Sequence, residues 1–262
     1  MNPASFVPYR DLENLRVVLV ATRNPLNIGA AARAMSNFGA AHLRVVNPYE
    51  VAFREARSAV GAAELLLNAK EYATVAEAVA DCMLVVGTTA GGRRELEHEL
   101  RRLDAGAPIV TQQMKAGPVA LLFGSEKVGL SNEDFSHCHW LMRIPTREVH
   151  GSMNLGQAVA ICLYELVREA PTTEGAKKRE RNSRGNELHR AKAADIERLT
   201  MLLYDVLRTS GYVKPRVAHA TEEKVRRMLR RLDLSAVDAE LWLGMLRQIQ
   251  WKLDADRKIK AV

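Results

Sequence analysis

Apolar and polar positions along this chain follow two rhythms. Short unbroken runs of β-branched and aliphatic residues are separated by longer stretches with helical spacing. "RVVLVA" (Arg16–Ala21) is such a run and predicts a buried strand. "HLRVVNP" predicts a second, stopped by Asn47 and Pro48. Further strands are expected to end at Val86, to span "PVALLFG" up to Gly124, and to span "HWLMRIP" up to Pro145. Between them, "NIGAAARAMSNFG" predicts a helix ended by Gly39, and "AVGAAELLLNAK" has helical composition. Thr74 with Glu77 and Ser131 with Asp134 have capping-box spacing. In "SMNLGQAVAICLYEL", Leu155, Val159, Cys162, Leu163 and Leu166 make one helical stripe. Strands that alternate with helices and are apolar on both faces predict an α/β fold: a mostly parallel sheet with helices on both faces.

The rhythm changes after Ala170. "PTTEGAKKRERNSRGN" is polar, basic and poor in apolar residues, so it reads as a linker. Helical periodicity then resumes. Ile196, Leu199, Leu202, Leu203 and Val206 form one stripe, ended by Gly211, and two more helices are expected near Thr221–Leu232 and Ser235–Leu253. The expected organisation is a main domain over 1–170, a basic linker over 171–186 and a small α-helical extension over 187–262. That extension is too small for a large core and is expected to lean on the main domain or on a partner subunit.

Composition narrows the class. The chain has 262 residues, 47% of them hydrophobic, without an apolar run long enough to span a bilayer. The opening "MNPASFVPYRDLENL" lacks the basic-then-apolar pattern of a signal peptide. Cys82, Cys138 and Cys162 are odd in number and scattered, as expected of buried thiols in a reducing compartment. A cytoplasmic protein is the expectation. Net charge adds a partner. Residues 1–170 hold 17 Lys and Arg against 18 Asp and Glu, whereas 171–262 hold 21 against 13. The excess of positive charge in the last third suits a polyanion such as RNA or DNA, and equally a solvated basic tail.

Several chemistries are set aside. A G-x-G-x-x-G after the first strand is absent, and "GSEKVGLS" is not a phosphate-binding G-x-x-x-x-G-K-[ST] loop. His137 and His139 flank Cys138, but neighbours on a strand point to opposite faces, so no metal is expected. Three segments remain, each with polar residues just after a strand, at the sheet edge where open α/β folds bind ligands. They are "RNPLNIGAAAR" with Asn27 and Arg33, "LLFGSEKVGLSN" with Glu126, and "RIPTREVHGSMN" with Ser152 and Asn154. Singly, each residue has a plain structural role: Asn27, Ser152 and Asn154 as helix caps, Glu126 as a loop acid, Arg33 as a surface charge. Jointly, three strand ends offer unpaired polar groups to one place.

"NIGAAAR", "FGSEKVGLSN" and "SMNLGQAV" resemble, in order and spacing, the three motifs of the SpoU/TrmH class of knotted RNA 2′-O-ribose methyltransferases. The resemblance runs from about Arg16 to Glu169, and "AVGAAELLLNA", "VVGTTAGGR" and the helical tail point to its TrmJ-like branch. It implies a trefoil knot after the last strands and a homodimer that shares its active sites. It also implies S-adenosylmethionine as methyl donor and the ribose of cytidine or uridine 32 in the tRNA anticodon loop as substrate. An RNA methyltransferase acting on ribosomal RNA, or a non-catalytic RNA-binding protein of the same fold, are the alternatives. The donor would lie against Thr88, Thr89 and Ala90, against Gly124 beside Glu126, and against Ile144, Gly151, Ser152 and Met153.

Arg33 is the residue that the resemblance marks as essential, with Asn27, Glu126, Ser152 and Asn154 around the reacting oxygen. Two roles are open to Arg33. One is a general base after an RNA phosphate perturbs it. The other is a permanently charged clamp on that phosphate and on the developing alkoxide. A guanidinium keeps its proton under almost all conditions, which favours the clamp.

Overall fold

The computed structural model describes residues 12–49, 53, 63–91, 97–147, 151–168 and 190–260. The expected linker over 171–186 and the first residues of "AVGAAELLLNAK" lie outside them. The strands are β1 (Leu15–Val20), β2 (His42–Val46), β3 (Lys70–Tyr72), β4 (Leu84–Thr88), β5 (Leu100–Arg102), β6 (Val119–Phe123) and β7 (Trp140–Arg143). They form one sheet in the order β3-β2-β1-β6-β4-β7-β5, and every pairing is parallel.

Side-chain alternation splits the core in two. Val17, Leu19, Val86, Leu121, Phe123 and Met142 face one side, under α1 (Pro25–Phe38), α4 (Leu103–Met114) and α6 (Leu155–Val167). Val18, Val20, Val85, Leu122 and Leu141 face the other, under α3 (Val75–Ala78) and α5 (Asn132–Ser136). A short helix, α2 (Ala63–Leu67), precedes β3. Strands buried on both faces explain why the sequence reads as unbroken apolar runs instead of alternation. The expected α/β class holds. β3 and β5, by contrast, read "KEY" and "LRR" and are the sheet's edges. Short, charged edge strands resist pairing with another chain, and for the same reason carry no apolar signal.

The last third folds into α7 (Ala193–Thr209), a 3₁₀ turn (Pro215–Val217), α8 (Ala218–Arg231) and α9 (Ala236–Lys260), around its own cluster of Leu199, Leu229, Leu243 and Leu246. α9 runs past the expected Leu253. The extension leans on the main body through polar contacts. Ala193 N donates to Cys82 O at 2.8 Å and Ala194 N to Ala80 O at 3.0 Å. Arg226 Nη1 donates to Ser136 Oγ of the main body at 3.3 Å, while its Nε donates to Glu197 Oε1 at 3.1 Å within the extension. Arg227 pairs with Glu97 of the main body, whereas Arg230 Nη2 donates to Ala193 O at 3.2 Å within the extension. Three arginines that counted toward the basic tail are therefore buried and spent on structure. Lys214, Arg216, Lys224 and Arg231 remain exposed. Among the described residues, no helix is long and apolar enough to cross a membrane.

Candidate active site

The carboxyl ends of β4, β6 and β7 open on one cleft of about 390 Å³. Thr88, Thr89, Ala90, Gly124, Ile144, Gly151, Ser152 and Met153, named above from three separate stretches, all line it, and so does Glu126. The walls are mixed. Phe123, Leu130, Phe135 and Met142 give flat apolar surface, while hydroxyl and backbone groups come from the loops. Thr88 Oγ1 donates to Leu122 O at 2.8 Å, tying β4 to β6, and Thr146 Oγ1 donates to Gly151 O at 3.2 Å, closing the third loop.

The second loop is a tight knuckle. Ser125 and Gly129 bridge across it, with Gly129 N donating to Ser125 O at 2.8 Å. Gly129 has φ +70°, which favours glycine. A Cβ on Gly124 would lie 2.1 Å from Gly129 C. Gly124 is thus required by the loop's own backbone.

Asn27, Asn154 and Glu126 form a chain of hydrogen bonds across the three motifs. Asn154 Oδ1 accepts from Gly156 N at 3.0 Å and Gln157 N at 3.4 Å, capping α6. Its Nδ2 donates to Asn27 Oδ1 at 2.7 Å, and Asn27 Nδ2 donates to Glu126 Oε1 at 2.9 Å. The helix cap fixes the polarity of the whole chain. Backbone N–H groups need an oxygen, so the nitrogen of each amide must point onward, ending on an acceptor-only carboxylate.

Two capping expectations are corrected. Asn24, not Asn27, caps α1, accepting from Leu26 N at 2.9 Å, because Pro25 occupies the first helical position. Asn27 is the third residue of α1, and its amide is free for Glu126. Asn154 alone caps α6, and Ser152 faces the cleft instead. Arg33 is exposed on α1 and does not line this cleft. Ala30 packs within the chain itself: a Cβ on Gly156 would lie 2.6 Å from that of Ala30, so α1 and α6 touch there. That close packing sets Asn27 beside Asn154.

Residues that sequence patterns did not single out complete the walls, among them Lys127, Val128, Phe135, Thr146 and Leu155. Phe135 and Leu155 read only as core, and Thr146 as loop. At "HCH", His139 Nδ1 accepts from Val85 N at 3.1 Å, and His137 Nδ1 lies 3.6 Å from Glu197. Burial lowers the His139 pKa to about 3 and raises the Cys138 thiol far above its usual value. Among the described residues, no group of three or more His, Cys, Asp or Glu is placed to hold a metal.

Residues 14–164 match the SpoU rRNA Methylase family, and the chain belongs to that family. The match stops before the helical extension, but other likenesses cover it. The tRNA (cytidine/uridine-2′-O-)-methyltransferase TrmJ of Sodalis glossinidius is 33% identical over 240 residues, 91% of this chain and 92% of that protein. TrmJ of Yersinia enterocolitica is 34% identical over 248 residues, again 91% and 92%. The crystal structure of TrmJ from Z. mobilis ZM4 superposes with a TM-score of 0.76 at 28% identity, covering 90% of this chain and 98% of that one. Within its family the chain falls in the TrmJ-like branch.

Proposed function

We propose that this protein is an S-adenosylmethionine-dependent tRNA methyltransferase that modifies a ribose 2′-oxygen of cytidine or uridine, at position 32 of the anticodon loop, in the cytoplasm. The observation that carries the reading is that the second and third motifs line one cleft together with Thr88–Ala90, and that the Asn154–Asn27–Glu126 chain ties the first motif to them. Likeness to TrmJ over both the main body and the extension favours tRNA over ribosomal RNA.

The cleft fits the donor. Its apolar walls suit an adenine ring, and the backbone groups around Thr89, Gly124 and Gly151 suit the ring's edge. S-adenosylmethionine bound there supplies a methyl group already activated on a sulfonium. What the chain must add is alignment and charge stabilisation. Asn27, held by Asn154, fixes Glu126 near the mouth, and Ser152 adds a hydroxyl to the floor. Arg33 stays charged, grips an RNA phosphate and stabilises the 2′-oxygen, whose proton passes to solvent water as the O–methyl bond forms and the S–methyl bond of the donor breaks.

Arg33 does not face its own cleft, so it is read as serving the cleft of a second copy. The α1–α6 pair has exposed apolar residues for such a contact, with Leu26 79% and Tyr164 56% exposed beside Ile161. The segments after β6 and β7 are read as the family's trefoil knot, and the chain as a main domain over 1–170 with a helical extension over 187–262. Lys192, Lys214, Arg216, Lys224, Arg231 and Arg247 are among the extension's exposed cations left for RNA.

The deciding experiment is twofold. Purified protein should transfer labelled methyl groups to tRNA, and mass mapping of tRNA from a strain lacking the gene should lose one ribose methyl at position 32. Loss at another RNA, or no transfer at all, overturns the reading.

A further inference from the structure

Among the described residues that line the cleft, Glu126 and Lys127 alone carry charge. Glu126 is already engaged by Asn27 at 2.9 Å. Lys127 is exposed and has no hydrogen bond or ion pair with a described residue. Its place is the tip of the knuckle that the Ser125–Gly129 bridge closes, beside Val128, which is 62% exposed. The backbone beneath it is fixed by Gly129 N to Ser125 O and by the contact of Gly124 with Gly129. Lys127 is the single cation among the described residues that line the cleft, and on this rigid knuckle, next to the Glu126 carboxylate, its unpaired ammonium attracts an anion.

Two anions would come to this cleft, the carboxylate of the donor and a phosphate of the RNA. The donor belongs inside, among the backbone groups and the apolar floor. Lys127 stands outside, at the rim. On a ribose, the 2′-oxygen and the 3′-phosphate are neighbours, so a ribose placed at Glu126 has its phosphate within reach of the next side chain. We infer that Lys127 grips the phosphate beside the target ribose and so positions the RNA strand over the cleft. This rests on the reading of the cleft as a ribose-methylation site.

The test compares wild type with Lys127→Ala and Lys127→Arg, using tRNA transcript as the probe. Lys127→Ala should raise KM for tRNA roughly tenfold, with kcat within twofold and donor affinity unchanged. Its tRNA binding, measured without donor over a salt series, should show a slope shallower by about 0.7, the share of one phosphate on a single strand. Lys127→Arg should restore both, because a guanidinium serves a phosphate as well. An unchanged salt slope in Lys127→Ala overturns the inference. So does a loss of donor affinity, which would assign Lys127 to the donor's carboxylate. If wild type binds tRNA but transfers no methyl group, the proposed activity fails, and the salt slope still decides on the phosphate grip.

Discussion

Asn27 donates a 2.9 Å hydrogen bond to Glu126 although 99 positions separate them in the chain. The carboxylate after β6 therefore takes its place from α1, the helix that follows β1. Moving either one moves the other, and Asn154 holds both.

The first prediction concerns that link. Asn27→Ala removes the acceptor of Asn154 and the donor to Glu126 together. Glu126 and Asn154 are exposed, so water can replace what they lose, and the fold should weaken by less than about 1 kcal/mol. Methyl transfer should fall at least tenfold, by about 1.4 kcal/mol or more of barrier. Steady-state kinetics beside a thermal melt separates the two effects. Near-normal turnover would detach the amide chain from the chemistry.

Arg33 gives the second. Arg33→Ala should melt and bind donor like wild type but transfer almost no methyl groups, and Arg33→Lys should keep a part of the rate. Mixing tests the shared site. A heterodimer of Arg33→Ala with Gly151→Phe should contain one site with both lesions and one with neither, so activity returns to at most half. Gly151 suits the blocking role because only Ala90 O, at 3.9 Å, lies near its missing Cβ, which leaves the new ring free to enter the cleft. Gly124 does not, because a side chain there would break the knuckle itself. A folded heterodimer without activity would place the whole site in one subunit.

A third prediction reverses a common expectation. Gly to Ala inside a helix ordinarily stabilises by up to about 1 kcal/mol. At Gly156 the added carbon meets Ala30 Cβ at 2.6 Å and Ala30 C at 3.1 Å. α1 and α6 must part, and Gly156→Ala should destabilise by about 1–3 kcal/mol. The double variant Ala30→Gly, Gly156→Ala should recover most of that loss. Chemical denaturation of the four species measures the coupling.

Acid supplies the fourth. Burial alone would push the Glu197 carboxyl up, but His137 and the guanidinium groups of Arg226 and Arg230 outweigh it and hold the pKa at about 2. Its contribution to stability is complete above the unfolded value of about 4.3 and is lost as pH falls toward 2. Burial, helped by Arg227 and Arg231, lowers His98 to about 4. The unfolded chain takes up that proton below about 6.5, so stability begins to fall there. Melting temperature should decline from pH 6.5 downward and more steeply below 4.3. Glu197→Gln should lower stability at pH 7 by about 3 kcal/mol, since it leaves buried guanidinium groups uncompensated, and should flatten the steeper limb. An unchanged profile would mean that these contacts do not hold the extension in place.

Much of this was legible in the sequence because parallel strands buried on both faces leave unbroken apolar runs. β1, β2, β4, β6 and β7 announced themselves in this way. β3 and β5 did not, because a three-residue edge of "KEY" or "LRR" has no face to bury. The eight lining residues came from motif resemblance, and the cleft gathers them. What linear patterns could not give is pairing at long range. Asn154 and Asn27 are 127 positions apart, and the arginines of α8 look like any solvated basic face until Glu197 and Glu97 are set against them. The caps show a subtler limit. Asn24 and Asn27 are both good caps, and Pro25 decides between them.

The strand order also bears on how the protein is made. β1 lies between β2, which follows soon after it, and β6, whose Val119 pairs with Leu15. A nascent chain that has already formed β1, α1 and β2 therefore holds one flank of β1 bare until Val119–Phe123 leaves the ribosome. That flank belongs to the middle of the sheet and lacks the charges that protect β3 and β5. Parallel pairing over so long a loop is slow, and an unguarded strand edge invites association with other chains. Demand for chaperones during synthesis should be greatest in this interval, before the helical extension exists.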